Sequence, residues 1–316
     1  MKLSVILPTY NNERTVAQCL QSILEQDLPR SIYEVLVIDG GSEDRTREIV
    51  RAAGLPVLEN PFRVEESGRM IGIEQASGEI LGFLDADNVL VGTDWLRRML
   101  TPFEDREIAF ADSLHYAWRR GDRLSVRYQA LIGGDDPLAT YLGLYSRWCY
   151  FTDDWTGFPY ESERRADYLR VRLRDRSLVP AMGSNGFFVR AGAIKPLIRG
   201  EFIHTDVVHD LVNSGFDCFA KVFVEILHDQ PSFFASKRRR IRRRWEGEVR
   251  QRYGYGIRPR HVLRALLRAG AILPVVLDAL RGYRRKPDLA WAFHLPAVYG
   301  VLSLHAYYGV KAWLRT

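Results

Sequence analysis

Residues Ile80–Asp87 read ILGFLDAD, an apolar run that ends in two aspartates one residue apart. Such a run predicts a short buried strand with a polar loop at its carboxyl end. The same figure occurs twice upstream. Leu3–Leu7 is apolar and gives way to Pro8-Thr9-Tyr10-Asn11, and Val35–Ile38 is apolar and gives way to Asp39-Gly40-Gly41-Ser42. Between them Val16, Leu20, Ile23 and Leu24 fall at spacings of three and four, a helical face that Asn11 or Asn12 can cap. A second helix, opened by Ser42 or Asp44, carries Ile49 and Val50. Pro56–Leu58 predicts a third strand, residues 67–77 a helix, and Glu79–Leu84 the fourth strand. Strands alternating with helices predict an α/β domain with a mostly parallel sheet and right-handed crossovers. In such sheets ligands lie beyond the carboxyl ends of the strands. The three polar clusters all fall there.

The rest of the chain bounds the reading. It has 316 residues, 47% of them apolar, enough for one large domain and an appendage. The opening Lys2 and the short run Leu3–Leu7 do not make a signal-peptide core, which predicts a cytoplasmic protein. Cys19, Cys149 and Cys218 are odd in number, far apart and without a CxxC, so reduced thiols fit better than a disulfide framework or a zinc site. Charge is uneven. Residues 236–316 hold 19 Lys and Arg against 4 Asp and Glu, whereas residues 1–235 hold 26 against 35. An acidic body with a basic tail predicts a boundary near residue 235 and two jobs. Residues 112–180, rich in aromatics and charges, predict helices broken by loops, a lid or an acceptor-side wall.

The tail opens on Lys237–Arg244, KRRRIRRR. Each basic residue near an anionic leaflet contributes about 1 kcal/mol of attraction. Val262–Leu280 is apolar but interrupted by Arg264, Arg268, Pro274 and Asp278, and Leu289–Val310 has no Asp, Glu, Lys or Arg. Trp245, Tyr253, Tyr255, Trp291, Tyr299, Tyr307, Tyr308 and Trp313 suit an interfacial belt. Pro296, His294 and His305 favour helices lying in the membrane interface over a crossing. A helical appendage with a solvated basic face is the other possibility.

Asp85 and Asp87 at a strand end can share a hard cation. Mg²⁺ or Mn²⁺ takes one or two protein carboxylates and completes its shell with water and phosphate oxygens. A solvated turn with a helix-capping Asp is the plainer alternative. The order of motifs decides between them. Pro8-Thr9-Tyr10-Asn11, Cys19-Leu20 with Ser22-Ile23 and Gln26, Ile38-Asp39-Gly40-Gly41-Ser42 with Asp44 and Thr46, Arg69 with Gly72, Ala76 and Gly78, and Phe83–Asp87 follow one another in this order. In these segments the chain resembles glycosyltransferase family 2, of the GT-A fold. The resemblance is strong over residues 1–90, fair to about 230 and weak beyond.

The resemblance implies roles for individual residues. Pro8, Thr9, Tyr10 and Glu13 line a nucleotide pocket, and Asp39 accepts a hydrogen bond from the base, the N3–H of a uracil. Arg69 lies near the nucleotide or its phosphates, unless it is a cation on a helix surface. Asp85, with Ala86 beside it, contacts ribose or metal, and Asp87 is the metal ligand proper. Gly183-Ser184-Asn185-Gly186 with Arg190 resembles the family's small-residue segment beside the sugar and acceptor; a turn before the strand Phe187–Val189 is equally compatible. Asp206, in His204-Thr205-Asp206, matches the carboxylate that takes the acceptor's proton, although Thr205 stands where the family has Glu. Its rival role is to cap a helix over 207–214. His228, after the strand Val222–Leu227, matches a further metal ligand or is a surface His at a strand exit. Arg244-Trp245 resembles an acceptor-site Arg-Trp pair only poorly.

The expectation is therefore a GT-A domain over 1–235 and a basic, amphipathic, helical tail over 236–316. The activity implied is inverting transfer of a sugar from a nucleotide-sugar donor, with Mg²⁺ or Mn²⁺, onto a glycan or lipid-linked glycan acceptor. The expected location is the inner face of the cell membrane, peripherally bound through the tail. A polyprenyl-phosphate sugar transferase is the alternative. The Gly-rich, Arg-containing loop of a sugar nucleotidyltransferase is missing, and the paired carboxylates argue against a nucleic-acid partner for KRRRIRRR.

Overall fold

The computed structural model describes residues 1–198, 202–229, 232–247 and 252–314. In chain order β1 (Leu3–Thr9), α1 (Val16–Leu24), β2 (Tyr33–Asp39), α2 (Thr46–Ala52), β3 (Val57–Glu59), α3 (Glu65–Gln75) and β4 (Ile80–Phe83) alternate as the periodicity predicts. Then come β5 (Asn88–Leu90), α4 (Trp95–Leu100), β6 (Phe110–Ala117), α5 (Leu124–Leu131) and α6 (Pro137–Tyr141). A hairpin follows, β7 (Tyr160–Arg164) and β8 (Tyr168–Leu173). After it come β9 (Phe187–Arg190), α7 (Ala191–Ile194), α8 (His204–Asn213) and β10 (Cys218–His228). The chain ends in α9 (Phe233–Trp245), α10 (Pro259–Gly270), α11 (Ile272–Arg285) and α12 (His294–Trp313).

The strands form one ten-stranded sheet in the order β3-β2-β1-β4-β9-β6-β10-β8-β7, with β5 pairing β10. β1 is buried along all seven residues, as befits a strand flanked by two parallel neighbours, β2 and β4. The α/β sheet flanked by helices expected from the sequence is present, as a mixed sheet. Its βαβ half, β1 to β4, is parallel. β9 pairs β4 and β6 antiparallel, and β8 pairs both β10 and β7 antiparallel. No crossover helix separates β7 from β8, so they fold back as a hairpin, where helices had been expected. Gly72 brings α3 down onto the sheet: a Cβ there would stand 2.4 Å from Ile6 Cγ2. The three cysteines are buried and unbridged.

The chain divides into two compact units. The first is Met1–Leu114 with Pro159–Asp229, and the second is His115–Phe158 with Gln230–Thr316. The division differs from a single cut near residue 235. Aromatic residues of 115–158 belong to the core of the tail: Tyr128, Tyr145 and Phe151 cluster with Phe233, Ile241, Trp291, Ala297 and Val301. Within that core His294 bridges Tyr128 Oη (2.8 Å from Nδ1) and Tyr141 Oη (3.0 Å from Nε2). Burial lowers its pKa to about 4, so the ring is neutral at pH 7.

Candidate active site

The loops after β1 and β2 are stitched into one surface. The register Thr9 beside Asp39 brings them level. Asn11 then accepts from the Glu43 amide (2.9 Å) and its own amide donates to the Ser42 hydroxyl (2.8 Å). The Asn12 amide donates to Thr46 Oγ1 (2.7 Å), and the Arg45 amide donates to Glu13 (3.2 Å). Tyr10 stands exposed at the edge. Asp39 itself is 1% exposed and crowded with donors. Its Oδ1 accepts from the Gly41 and Ser42 amides (3.1 and 2.8 Å) and from Arg47 Nε (2.7 Å). Its Oδ2 accepts from the Thr9 and Ser42 hydroxyls (3.0 and 2.5 Å). Burial works to raise its pKa, but the Ser42 and Thr9 bonds and the Arg47 charge outweigh it and hold the carboxyl below its usual range. Ser42 and Arg47 are partners that the motif did not identify.

Beyond the carboxyl end of β4 the chain turns through Asp85-Ala86-Asp87. Asn88, 1% exposed, closes that turn. Its side-chain oxygen accepts from the Asp85 amide (2.9 Å), and its Nδ2 donates to Asp87 Oδ1 (3.3 Å) and to Asn185 Oδ1 (3.0 Å). The pairing of β5 with β10 sets His228 opposite Asn88, which carries the imidazole to the loop. His228 Nε2 lies 3.5 Å from Asp87 Oδ2. Ligand atoms of Asp85, Asp87 and His228 all fall within 4.8 Å of one another. Two carboxylates and an imidazole, all part-buried, form a donor set suited to Mn²⁺ or Mg²⁺, so the residues fit the divalent cation. Cys19 supports the same turn, its Sγ 3.6 Å from the Asp85 carbonyl oxygen. Burial, with the Asp87 and Asp85 charges, pushes that thiol far up, so it is no nucleophile.

Arg69 is a buried cation, which excludes the helix-surface alternative. It is 2% exposed and its Nη2 meets Asp85 Oδ1 (2.6 Å) and Glu65 Oε1 (2.5 Å). Burial disfavours its charge, but Glu65 and Asp85 more than offset that and raise its pKa. The structure thus joins Arg69, Asp85, Asp87 and His228 in one cluster and Thr9, Asp39 and Arg47 in another. The loop Gly183–Gly186 runs past the first of these. Asn185, at φ +53°, reaches Asn88, and Gly183, at φ +112°, lies against α8, where a Cβ would meet the His204 carbonyl oxygen at 2.7 Å. Asp206 is 2% exposed in the first turn of α8. It is not the helix cap. The cap position is Ile203, and Asp206 lies three residues inside. Asn88 was missed by sequence reasoning, though an Asn three residues after Asp85 is a signal for such a closed turn.

The family model described as Glycosyl transferase family 2 matches residues 4–161, half of the chain and all of the βαβ half of the sheet. The chain belongs to glycosyl transferase family 2. Among relatives of this family 2 chain, Glycosyltransferase AglE of Haloferax volcanii is 35% identical over 135 residues, 40% of this chain and 44% of that protein. The poly(ribitol-phosphate) beta-N-acetylglucosaminyltransferase TarS of Staphylococcus aureus is 35% identical over 96 residues, 28% of this chain and 17% of TarS. The matched region therefore spans less than half the length of either relative. A solved mannosyltransferase of Pyrobaculum calidifontis, in complex with GDP-Man and Mn²⁺, superposes with a TM-score of 0.52 over 97% of this chain and 87% of its own, at 16% identity. That likeness is one of fold, the GT-A class expected from the sequence.

Proposed function

We propose that this family 2 chain transfers a sugar from a UDP-sugar to an acceptor hydroxyl by a single inverting displacement, in the assembly of a glycan or lipid-linked glycan. The observation that carries the reading is the cluster of Asp85, Asp87 and His228 at the strand ends. A divalent cation bound there supplies the charge that stabilises a departing nucleoside diphosphate. Asp87 and His228 would hold it, beside Asp85, which pairs with Arg69. The Arg69 guanidinium orients Asp85 through its hydrogen bond to Oδ1. Asp206 takes the proton of the acceptor hydroxyl while the acceptor oxygen bonds to the anomeric carbon. The bond from that carbon to the diphosphate oxygen breaks on the opposite face, which inverts the centre. The transition state is oxocarbenium-like, so proton removal is late and a carboxylate suffices. The basic tail holds the protein peripherally on the inner face of the cell membrane, close to lipid-linked acceptors. The solved neighbour with GDP-Man and Mn²⁺ and the TarS N-acetylglucosaminyltransferase support the chemistry as a class.

The test is a panel of UDP- and GDP-sugars, with and without Mn²⁺ or Mg²⁺, read by nucleotide release and by thermal stabilisation. One donor should be hydrolysed and should stabilise the protein only when the cation is present. Indifference to the whole panel would overturn the reading. Product analysis then separates sugar placed on sugar from sugar placed on a polyprenyl phosphate.

Asp39 carries a further prediction. Its two oxygens already hold five donors, so a uracil N3–H reaches it only by replacing one. Arg47, whose side chain is partly exposed and also paired with Glu59, is the one placed to yield. Asp39→Ala should weaken nucleoside diphosphate binding by about 1.5–3 kcal/mol, the range for a hydrogen bond to a charged group. Calorimetry on the folded variant measures this, and an unchanged affinity would remove Asp39 from the pocket.

A further inference from the structure

Two helices of the second unit turn apolar faces outward. On α10 Val262, Leu263, Leu266 and Leu267 are exposed, while Ala265 and Ala269 on the other side are buried. On α11 Ile272, Leu273, Val276, Leu277, Leu280 and Tyr283 are exposed, while Val275, Asp278 and Gly282 face inward. Spacings of three and four put each exposed set on a single helical face. The most exposed, Leu267 at 68% and Leu273 at 67%, flank the short link at Gly270-Ala271. Ten large apolar side chains left in water on adjoining helices mark an interaction surface.

Charge selects the partner. Residues 258–286 hold eight Lys and Arg and one Asp. That one, Asp278, is fully buried and neutralised by Arg268 (2.9 and 2.5 Å) and Arg281 (3.1 Å). The outward side therefore presents leucines with exposed Arg260, Arg264, Arg281, Arg284 and Arg285, and no exposed acid. A second copy would bring like charges together. An anionic bilayer answers both features, taking the side chains among its acyl chains and the guanidinium groups among its phosphates. The apolar stretch Leu289–Trp313 is long enough to cross a membrane, but Ala297, Val298, Val301 and Tyr308 of α12 are committed to the core of the unit.

We propose that the α10–α11 face is the surface by which this protein inserts into the headgroup layer of an anionic membrane. The inference rests on the peripheral membrane location proposed above and assigns it to these two helices rather than to KRRRIRRR on α9 or to α12. Flotation of the full chain with phosphatidylcholine vesicles, made with and without phosphatidylglycerol, tests it. Wild type should float with the anionic vesicles and keep part of its binding at high salt. Leu267→Glu with Leu273→Glu should lower the bound fraction about tenfold or more. The melting temperature and vesicle-free donor hydrolysis of that variant should stay at wild-type values. Undiminished flotation of the variant would overturn the assignment and leave α9 or α12 as the attachment. A wild type that floats with neither vesicle would overturn the peripheral location as well, while donor hydrolysis reports on the transferase reading independently. A wild-type dimer that the double substitution dissolves would show that a second copy covers the face.

Discussion

Asp87→Asn is expected to abolish sugar transfer while the protein folds and melts as wild type. The Asp87 side chain is partly exposed. It accepts one long hydrogen bond from Asn88 and lies 3.5 Å from His228. An amide of the same shape replaces it with little effect on stability, within about 0.5 kcal/mol for such a position. What the amide lacks is the charge that binds a cation. Losing the stabilisation of a leaving diphosphate is worth several kcal/mol, or about 10²–10⁴ in rate. Excess chelator should silence the wild type, and Mn²⁺ or Mg²⁺ should restore it but should not rescue the variant. Full activity in excess EDTA would refute the metal role of the whole cluster. His228→Ala separates ligand from bystander. A raised cation requirement is expected of a ligand, and an unchanged one would return His228 to a plain strand exit.

The half of the fold that the sequence displays is the half made by local patterns. β1, β2 and β4 are apolar runs because both faces of a central parallel strand are covered, and each stops where polar loop residues begin. The edge hairpin of β7 and β8 carries no such pattern. β7 reads YESER and is almost wholly exposed, and β8 reads YLRVRL. Their arginines are held by partners far along the chain, Arg170 by Asp105 and Arg172 by Asp217. An edge hairpin held by ion pairs looks like a polar loop until its partners are known. For the same reason the aromatic stretch 115–158 could not be assigned to the tail. Nothing near Tyr128 or Phe151 in sequence announces Phe233, Trp291 or Val301 as neighbours.

The site divides the same way. Asp85 and Asp87 stand one residue apart in sequence and are legible as a pair, and Asp39 is legible from the Gly-Gly turn that follows it. Asn88 is not, because its importance comes from contacts made across the sheet to Asn185 and from the β5–β10 pairing that delivers His228. In sequence Arg69 stays open between a nucleotide contact and a cation on a helix surface. Its meaning depends on being buried over Phe202, with its guanidinium carbon 5.6 Å from the ring centre, and on Asp85, which lies sixteen positions on.

Asp206→Asn is the sharper test of mechanism. Asp206 is buried in the first turn of α8, three residues past the cap. A carboxylate there interacts with the positive end of the helix for about 0.3–1 kcal/mol, so replacing it by an amide should lower stability by no more than that. If Asp206 removes the acceptor proton, the same change should lower the transfer rate by about 10²–10⁴. Donor affinity should stay unchanged, because the proposed nucleotide and cation sites lie on other loops. A helix-stabilising Asp would show the small stability loss and near-normal turnover. A donor-binding Asp would show a weakened affinity that calorimetry detects. The general base alone combines a large loss in rate with intact donor binding. Near-normal turnover of Asp206→Asn would refute the role and direct attention to His204, whose carbonyl abuts Gly183, and to Asp210, which lies 3.5 Å from His209 one residue before it.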